Sequence, residues 1–300
     1  MGEASRESSP TQPLVSIVTP SLNMGRFIEE TIRSVLAQDY PNVEYIVIDG
    51  GSTDGTIEIL KRYEGRLRYL SEPDRGQSDA VNKGFQQSRG AIFSFLNADD
   101  TLLAGAISAV ARAFSENPDA GVIYGNAWHV AEDGSGIGPY PVEPFNAANL
   151  ARRCFICQPA AFLRREVFAE VGMLDANLRY AMDYDLWIRV ARRYPMKKID
   201  AYLATSRLHA SSKTMDETGP ALRATMEVLD RQYGYVPFNW LYGYWHHRLT
   251  GQELAAEKPR VSLASACVSI AAGMRYNWRS PVRYVRDIVA TAREGCLNGD

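Results

Sequence analysis

The chain has 300 residues, 46% hydrophobic and 23% charged, with a formal net charge of −2, which is enough for one large α/β domain and a smaller appendage. A protein this close to neutrality lacks the broad positive field of a non-specific nucleic-acid binder, so no nucleic-acid partner is expected. Four cysteines cannot build a disulfide framework, and the pair Cys154-x-x-Cys157 has no second pair at zinc-finger spacing. With Phe155 and Ile156 between them these two read as packing residues, a redox or zinc role being the alternative.

Residues 1–12 are polar and without an apolar run, and read as a disordered tail. Leu14–Thr19 is a β-branched strand that stops at Pro20. Phe27–Gln38 has Phe27, Ile28, Ile32, Val35 and Leu36 near helical spacing. A second strand, Val43–Asp49, runs into the turn Gly50–Gly55, and Thr56–Tyr63 begins a helix. Leu67–Leu70 is a short strand, Ser78–Gln87 a helix, Ala91–Leu96 a buried strand, Leu102–Phe114 a helix and Gly121–Tyr124 a further strand. This alternation predicts a mostly parallel sheet with helices on both faces, in which ligands gather at the carboxyl ends of the strands. From 126 to 160 the chain is Gly/Pro-punctuated and irregular. Arg164–Val171 and Asp183–Tyr194 read as helices, Lys197–Leu203 as a strand, and the chain beyond about 215 as helical.

Polar clusters follow the strand ends. After the first strand come Thr19-Pro20-Ser21-Leu22-Asn23, suited to a nucleotide or to a helix cap and turn. Asp49, ahead of Gly50-Gly51-Ser52-Thr53-Asp54, can bond a base or ribose; the plainer reading is a tight turn with Asp54 capping the next helix. No G-x-G-x-x-G follows a strand, which disfavours a dinucleotide oxidoreductase. Asn97-Ala98-Asp99-Asp100 ends a buried strand, and paired carboxylates there call for solvent, a partner or a cation. Asp99 suits Mg²⁺ or Mn²⁺ shared with substrate phosphates; Asp100 also suits a cap for the helix near Leu102. Asp183 and Asp185 open an amphipathic helix, either as helix-start acids or with one of them as a general base. His209 stands as a structural histidine or a metal ligand.

In order and spacing, five stretches together resemble a family 2 glycosyltransferase of GT-A fold: P-x-V-S-I-V-T-P-S-L-N (13–23), S-V-L-A-Q-D-Y-P-N-V-E-Y-I-V-I-D-G-G-S-T-D-G-T (34–56), D-R-G-Q-S-D-A-V-N-K-G (74–84), L-N-A-D-D (96–100) and M-D-Y-D-L-W (182–187). The resemblance covers about residues 13–212. It implies a nucleotide-sugar donor, a UDP- or dTDP-sugar, and a glycan or lipid-linked acceptor. Pro20, Ser21, Asn23, Asp49 and Ser52 would line the nucleotide pocket, with Asp74, Gln77, Asn82, Asn97 and Ala98 near the donor. Asp99 and His209 would hold the divalent metal, and Asp183 would be the catalytic base of an inverting displacement. Two positions depart from the family pattern: Asn97 replaces the first Asp of the metal motif, and Met182 stands where Glu often precedes the base.

The expected organisation is a tail (1–12), a catalytic domain (13–215, with donor and acceptor halves meeting at 125) and a helical extension (216–300). Beyond residue 220, ten Lys/Arg against seven Asp/Glu are interleaved with Trp240, Tyr242, Tyr244, Trp245, Tyr276, Trp278 and Tyr284. That mixture fits peripheral contact with an anionic membrane or, alternatively, packing on the catalytic domain. No run of 18 apolar residues occurs, so the expected location is cytoplasmic, peripheral at the inner membrane face if that contact is made. Two other functions remain open. A sugar nucleotidyltransferase would need a Gly-rich basic loop that Thr19–Arg26 does not supply, and Asn97 motivates a non-catalytic carbohydrate-binding or scaffold protein on a degenerate enzyme fold.

Overall fold

The computed structural model describes residues 12–209, 217–251 and 262–293. Strand β1 (Val15–Ser21) is buried along its whole length, between β2 (Val43–Asp49) and β4 (Ile92–Phe95). β3 (Arg68–Ser71) completes a parallel half-sheet in the order β3-β2-β1-β4. Because these strands run the same way, Ser21, Asp49, Ser71 and the chain leaving Phe95 all reach one edge. Alternation along β2 sends Tyr45 and Val47 to one face and Ile46 and Ile48 to the other. The first face is covered by α1 (Ile28–Leu36), α2 (Thr56–Lys61) and α4 (Ala106–Glu116), the second by α3 (Gln77–Gln87). Helix α3 lies so close to β1 that a Cβ on Gly84 would come within 2.3 Å of Val18, an approach only glycine permits.

The second half of the sheet departs from the sequence reading. The expected strand at Gly121–Tyr124 is β6 (Val122–Val130), which continues into the segment read as irregular and pairs with β7 (Gly136–Pro139). An unanticipated strand, β8 (Ala161–Arg164), sits antiparallel between β4 and β6. The strand expected at 197–203 is β9 (Met196–Arg207), parallel to β6. Its far end pairs with β5 (Thr101–Leu102), which occupies the start of the expected helix and delays α4 to Ala106, after Gly105 at φ +78°. One sheet thus crosses residue 125. Helices α5 (Ala147–Arg152), α6 (Arg165–Val171) and α7 (Met182–Ala191) complete this half.

Four helices follow: α8 (Thr218–Tyr233), α9 (Phe238–Thr250), α10 (Leu263–Tyr276) and α11 (Pro281–Arg293). Met226, Leu229, Phe238, Leu241, Tyr242 and Tyr284 share one core with Phe93, Tyr124 and Trp187, so these helices pack on the α3/α7 face. Tyr284 reaches the Ser269 carbonyl at 2.7 Å over Gly273, where any Cβ would overlap its ring. No described helix is long and apolar enough to cross a membrane. The expected tail at 1–12 lies, except for Gln12, outside the described residues.

Candidate active site

The ends of β1 and β2 are fastened to each other by side chains. Asp49 is fully buried; its Oδ2 accepts from Gly51 N (3.0 Å), Ser52 N (2.9 Å) and Ser71 Oγ (2.7 Å), and its Oδ1 from Ser52 Oγ (2.5 Å). Ser52 Oγ in turn accepts from Asn23 N at 2.7 Å, while Asn23 Oδ1 accepts from Thr53 N at 2.8 Å. Asn23 has φ +54°, a left-handed conformation that asparagine tolerates. Asp54 accepts from Gly25 N (2.9 Å) and Thr56 N (3.0 Å), so it steadies both loops as well as the start of α2. Pro20 and Ser21 are buried, and Ser21 Oγ has no partner among the described residues. Asp74 lies over Gly50, where a Cβ would come within 2.7 Å of its Oδ2, and it accepts from Gly76 N at 2.7 Å.

The end of β4 is held from three sides. Thr31 Oγ1 donates to the carbonyls of Ala98 (2.9 Å) and Asp100 (2.8 Å). Gln77 Nε2 donates to Asn97 Oδ1 (2.6 Å), and Asn97 Nδ2 donates to Asp100 Oδ2 (3.2 Å). Asp100 is buried and accepts from Arg207 N (2.9 Å). Burial, reinforced by repulsion from the Asp99 carboxylate, pushes its carboxyl well above the ordinary carboxylate value. The capping role considered for Asp100 is not what the structure shows: β5 intervenes, and α4 starts after Gly105 without a side-chain cap. Asp99 is a different kind of acid. Its side chain is 15% exposed, and its Oδ2 lies 2.9 Å from His209 Nε2, an atom pair separated by 110 residues.

The third segment is the first turn of α7. Ala181 takes φ +55° immediately before the helix. With Asn23 it is one of two described non-glycine residues in the left-handed region; one lies after β1 and the other immediately before α7, and such strain tends to collect at functional sites. The two acids of the turn part company here. Asp185 is 1% exposed and accepts from Arg189 Nε (2.8 Å), Arg231 Nη2 (2.9 Å) and Gln232 Nε2 (2.8 Å), tying α7 to α8. Asp183 has no side-chain partner among the described residues. Burial pushes its carboxyl above the ordinary value, and the backbone N–H groups of Tyr184 and of Asp183 itself offset only part of that rise.

The start of α3 joins these segments. Gln77 holds Asn97, while the next residue, Ser78, donates to the Leu178 carbonyl at 3.2 Å and lies against the Met182 sulfur. One residue step therefore separates a partner of the Asn97–Asp99 turn from a partner of the Met182–Asp183 turn. The Cys157 thiol, raised chiefly by burial, is raised further by both Asp100 and Asp183, so it sits within electrostatic reach of each. Cys154 and Cys157 are unpaired thiols, both raised by burial, in keeping with packing residues.

Asn82, expected near the donor, has its amide on Leu174: its Nδ2 donates to the Leu174 carbonyl (2.8 Å) and its Oδ1 accepts from Leu174 N (3.1 Å), which brackets α3 to the loop before α7. Sequence reasoning passed over Arg207. Its buried guanidinium donates to the carbonyls of Asp99 (2.9 Å) and Glu132 (3.0 Å) and to Glu30 Oε2 (2.6 Å), clamping the Asp99 turn. The available signal was its place two residues before His209 on the same strand end.

The residues fit a divalent cation only in part. Among the described residues no cluster of three or more His, Cys, Asp and Glu side chains converges. Asp99, 15% exposed, and the buried His209 would supply two ligands, leaving the other positions to substrate oxygens, the usual arrangement for Mg²⁺ and Mn²⁺ at diphosphates.

The family model described as glycosyl transferase family 2 matches residues 16–172. An uncharacterized glycosyltransferase of Rickettsia felis is 31% identical over 214 residues, covering 66% of this chain and 35% of the relative, so the chain spans about a third of that protein's length. Among solved structures, S. aureus TarS 1–349 in complex with UDP-GlcNAc superposes with a TM-score of 0.61 at 15% identity, covering 88% of this chain and 81% of that one. The mannosyltransferase PcManGT from Pyrobaculum calidifontis, in complex with GDP-Man and Mn²⁺, gives 0.60 at 18% identity over 94% and 87%. At these identities the likeness is one of fold, and it is the expected GT-A architecture.

Proposed function

The chain belongs to glycosyl transferase family 2, and from that premise we propose that it catalyses a single inverting displacement on a nucleotide-diphosphate sugar. Asp183 removes the proton of an acceptor hydroxyl as that oxygen bonds to the anomeric carbon and the bond to the diphosphate oxygen breaks. The observation that carries this reading is the contrast at the start of α7. Asp185 is saturated by three donors, whereas Asp183, two residues earlier, has no side-chain partner among the described residues and its carboxyl is raised. A raised carboxylate is the stronger proton acceptor.

Pro20, Ser21, Asn23, Asp49 and Ser52 line the nucleotide side, with Asp74, Gln77, Asn97 and Ala98 toward the sugar and diphosphate. Support for a ligand there comes from the buried, unpartnered Ser21 Oγ. Asp99 and His209 would hold Mg²⁺ or Mn²⁺, whose charge would stabilise the departing diphosphate. The donor is a UDP- or dTDP-sugar and the acceptor a glycan or lipid-linked hydroxyl; TarS and PcManGT have been crystallised with UDP-GlcNAc and GDP-Man. Organisation into donor and acceptor halves of one catalytic domain followed by a helical extension belongs to the same reading. Residues 210–215, the end of the acceptor half, lie outside the described residues.

The test is nucleoside diphosphate release from UDP-, dTDP- and GDP-sugars with Mn²⁺. Release that a chelator and Asp183→Asn each abolish supports the proposal. Release indifferent to Asp183→Asn would remove the base from the mechanism, and binding of a sugar nucleotide without turnover would favour the non-catalytic alternative.

A further inference from the structure

The C-terminal helices carry two populations of apolar side chain. Trp240, Tyr242 and Tyr284 pack into or against the core shared with α7. Others point outward: of the thirteen exposed large hydrophobic residues among the described residues, eight fall between Leu263 and Val289. On α11, Val282 (64% exposed), Val285 (51%) and Val289 (45%) follow one another at helical spacing, opposite the buried Tyr284. Trp278, 67% exposed, stands just ahead of that stripe. On α10, Leu263, Ile270 and Met274 form a second outward row. A soluble surface rarely leaves this much apolar area in so short a stretch without a use for it.

Charge states what kind of partner would cover it. From 262 to 293 the chain carries Arg275, Arg279, Arg283, Arg286 and Arg293 against one acid, Asp287. That acid is already engaged with Arg152 (3.5 Å) and the Phe238 N–H (2.7 Å). Arg275, Arg279 and Arg286 make no ion pair with any described residue. Trp278 and Arg279 also belong to the wall of an open cavity of about 780 Å³, together with Trp245, Arg275, Tyr276 and one acid, Asp230, against the two arginines. A second copy of this chain meeting the face across a two-fold would set arginines against arginines. A sheet of phosphates would satisfy them.

We propose that the α10–α11 face docks this protein peripherally onto an anionic lipid bilayer. Trp278 and the valines of α11 enter the boundary between headgroups and acyl chains, and Arg275, Arg279 and Arg286 meet lipid phosphates, the cavity beside Trp278 receiving a headgroup. The proposal rests on the surface alone and stands apart from the transfer reaction, so donor turnover and membrane binding can fail separately. Residues 252–261 and 294–300, outside the described residues, carry no part of it.

The experiment is flotation of the full-length protein with vesicles of phosphatidylcholine and with vesicles that also contain phosphatidylglycerol. Wild-type protein is expected to float with the anionic vesicles alone and to be released by added salt. Arg279→Glu combined with Arg286→Glu lowers the bound fraction at least about tenfold, from the contribution of each arginine near a charged membrane. Trp278→Ala combined with Val285→Ser lowers it at an unchanged circular-dichroism spectrum. Wild-type protein left at the bottom of the gradient with both vesicle types overturns the proposal, as does a double Arg variant that floats like the wild type. So does a dimer in light scattering that Val285→Asp dissolves, which would assign the face to a second copy. The comparison of the two vesicle types uses wild-type protein and decides the matter even if a variant fails to fold.

Discussion

The loop after β2 and the first turn of α7 each carry an aspartate, and the two are treated in opposite ways. Asp49 is enclosed and accepts four hydrogen bonds from its own loop and from Ser71. Among the described residues Asp183 has just helix-start N–H groups against the cost of burial, and its carboxyl rises. The difference separates two uses of a carboxylate. One that is fully hydrogen-bonded holds a loop in the shape a ligand needs. One that is under-bonded and raised fits the proton acceptor proposed above.

The largest effect that tests this contrast is on turnover. Asp183→Asn should lower turnover roughly 100- to 10 000-fold, the range of a lost general base, with the melting temperature unchanged or higher at neutral pH. The sign follows from the direction of the shift. A carboxyl raised on folding penalises the folded state fully above its folded pKa, and the penalty shrinks as pH falls from there and is gone below the unfolded value of about 3.9. Any gain of the Asn variant over wild type should therefore vanish in acid, as thermal melts across pH would record. The acid limb of the wild-type rate profile should lie above the ordinary carboxylate value for the same reason; a limb at that ordinary value would contradict the reading of Asp183.

Asp185→Ala should do the converse. Removing an acid that is 1% exposed from Arg189, Arg231 and Gln232 should cost about 3 kcal/mol in denaturant unfolding, the lower end for a broken buried pair because Arg231 is half-exposed. Turnover per folded molecule should stay near wild type. A variant that is stable yet inactive would exchange the roles assigned to the two acids.

Asp49→Ala should cost about 2–3 kcal/mol, since it strips the acceptor from several donors at once, and should raise the donor KM more than it lowers kcat. An unchanged KM would confine Asp49 to loop structure.

The smallest effect concerns the departure from the family's metal motif. Asn97 donates to Asp100 Oδ2, which an ionised aspartate cannot do. Asn97→Asp should therefore lose about 1–2 kcal/mol of stability at neutral pH, recovered as the pH falls and the facing carboxyls protonate. A variant of wild-type stability that binds Mn²⁺ more tightly would mean that the Asn97–Asp100 contact is dispensable.

Much of this contrast was present in the chain itself. The parallel half-sheet, with Asp49 and Asn97–Asp100 at its carboxyl edge, follows from alternating apolar runs and turn residues that act over a few positions. The antiparallel β8 and the short β5 were missed because their pairing partners lie far away, β5 meeting β9 through Thr101 and Thr205. The bracket from Asn82 to Leu174 was equally beyond local reading, because the two are 92 residues apart. Of the C-terminal aromatics, composition alone could not tell Tyr284, fully buried, from Trp278, mostly exposed.

The sequence by itself determined the family, the strand-and-helix alternation of the first half and the identity of the acids at the strand ends, because periodicity, turn chemistry and motif spacing are local properties. Only the tertiary structure decided which acid is saturated and which is left under-bonded, which amide serves as a bracket, and which aromatic residues stay outside. Each of those depends on desolvation and on hydrogen-bond partners brought in from tens of residues away, and these exist only once the chain has folded.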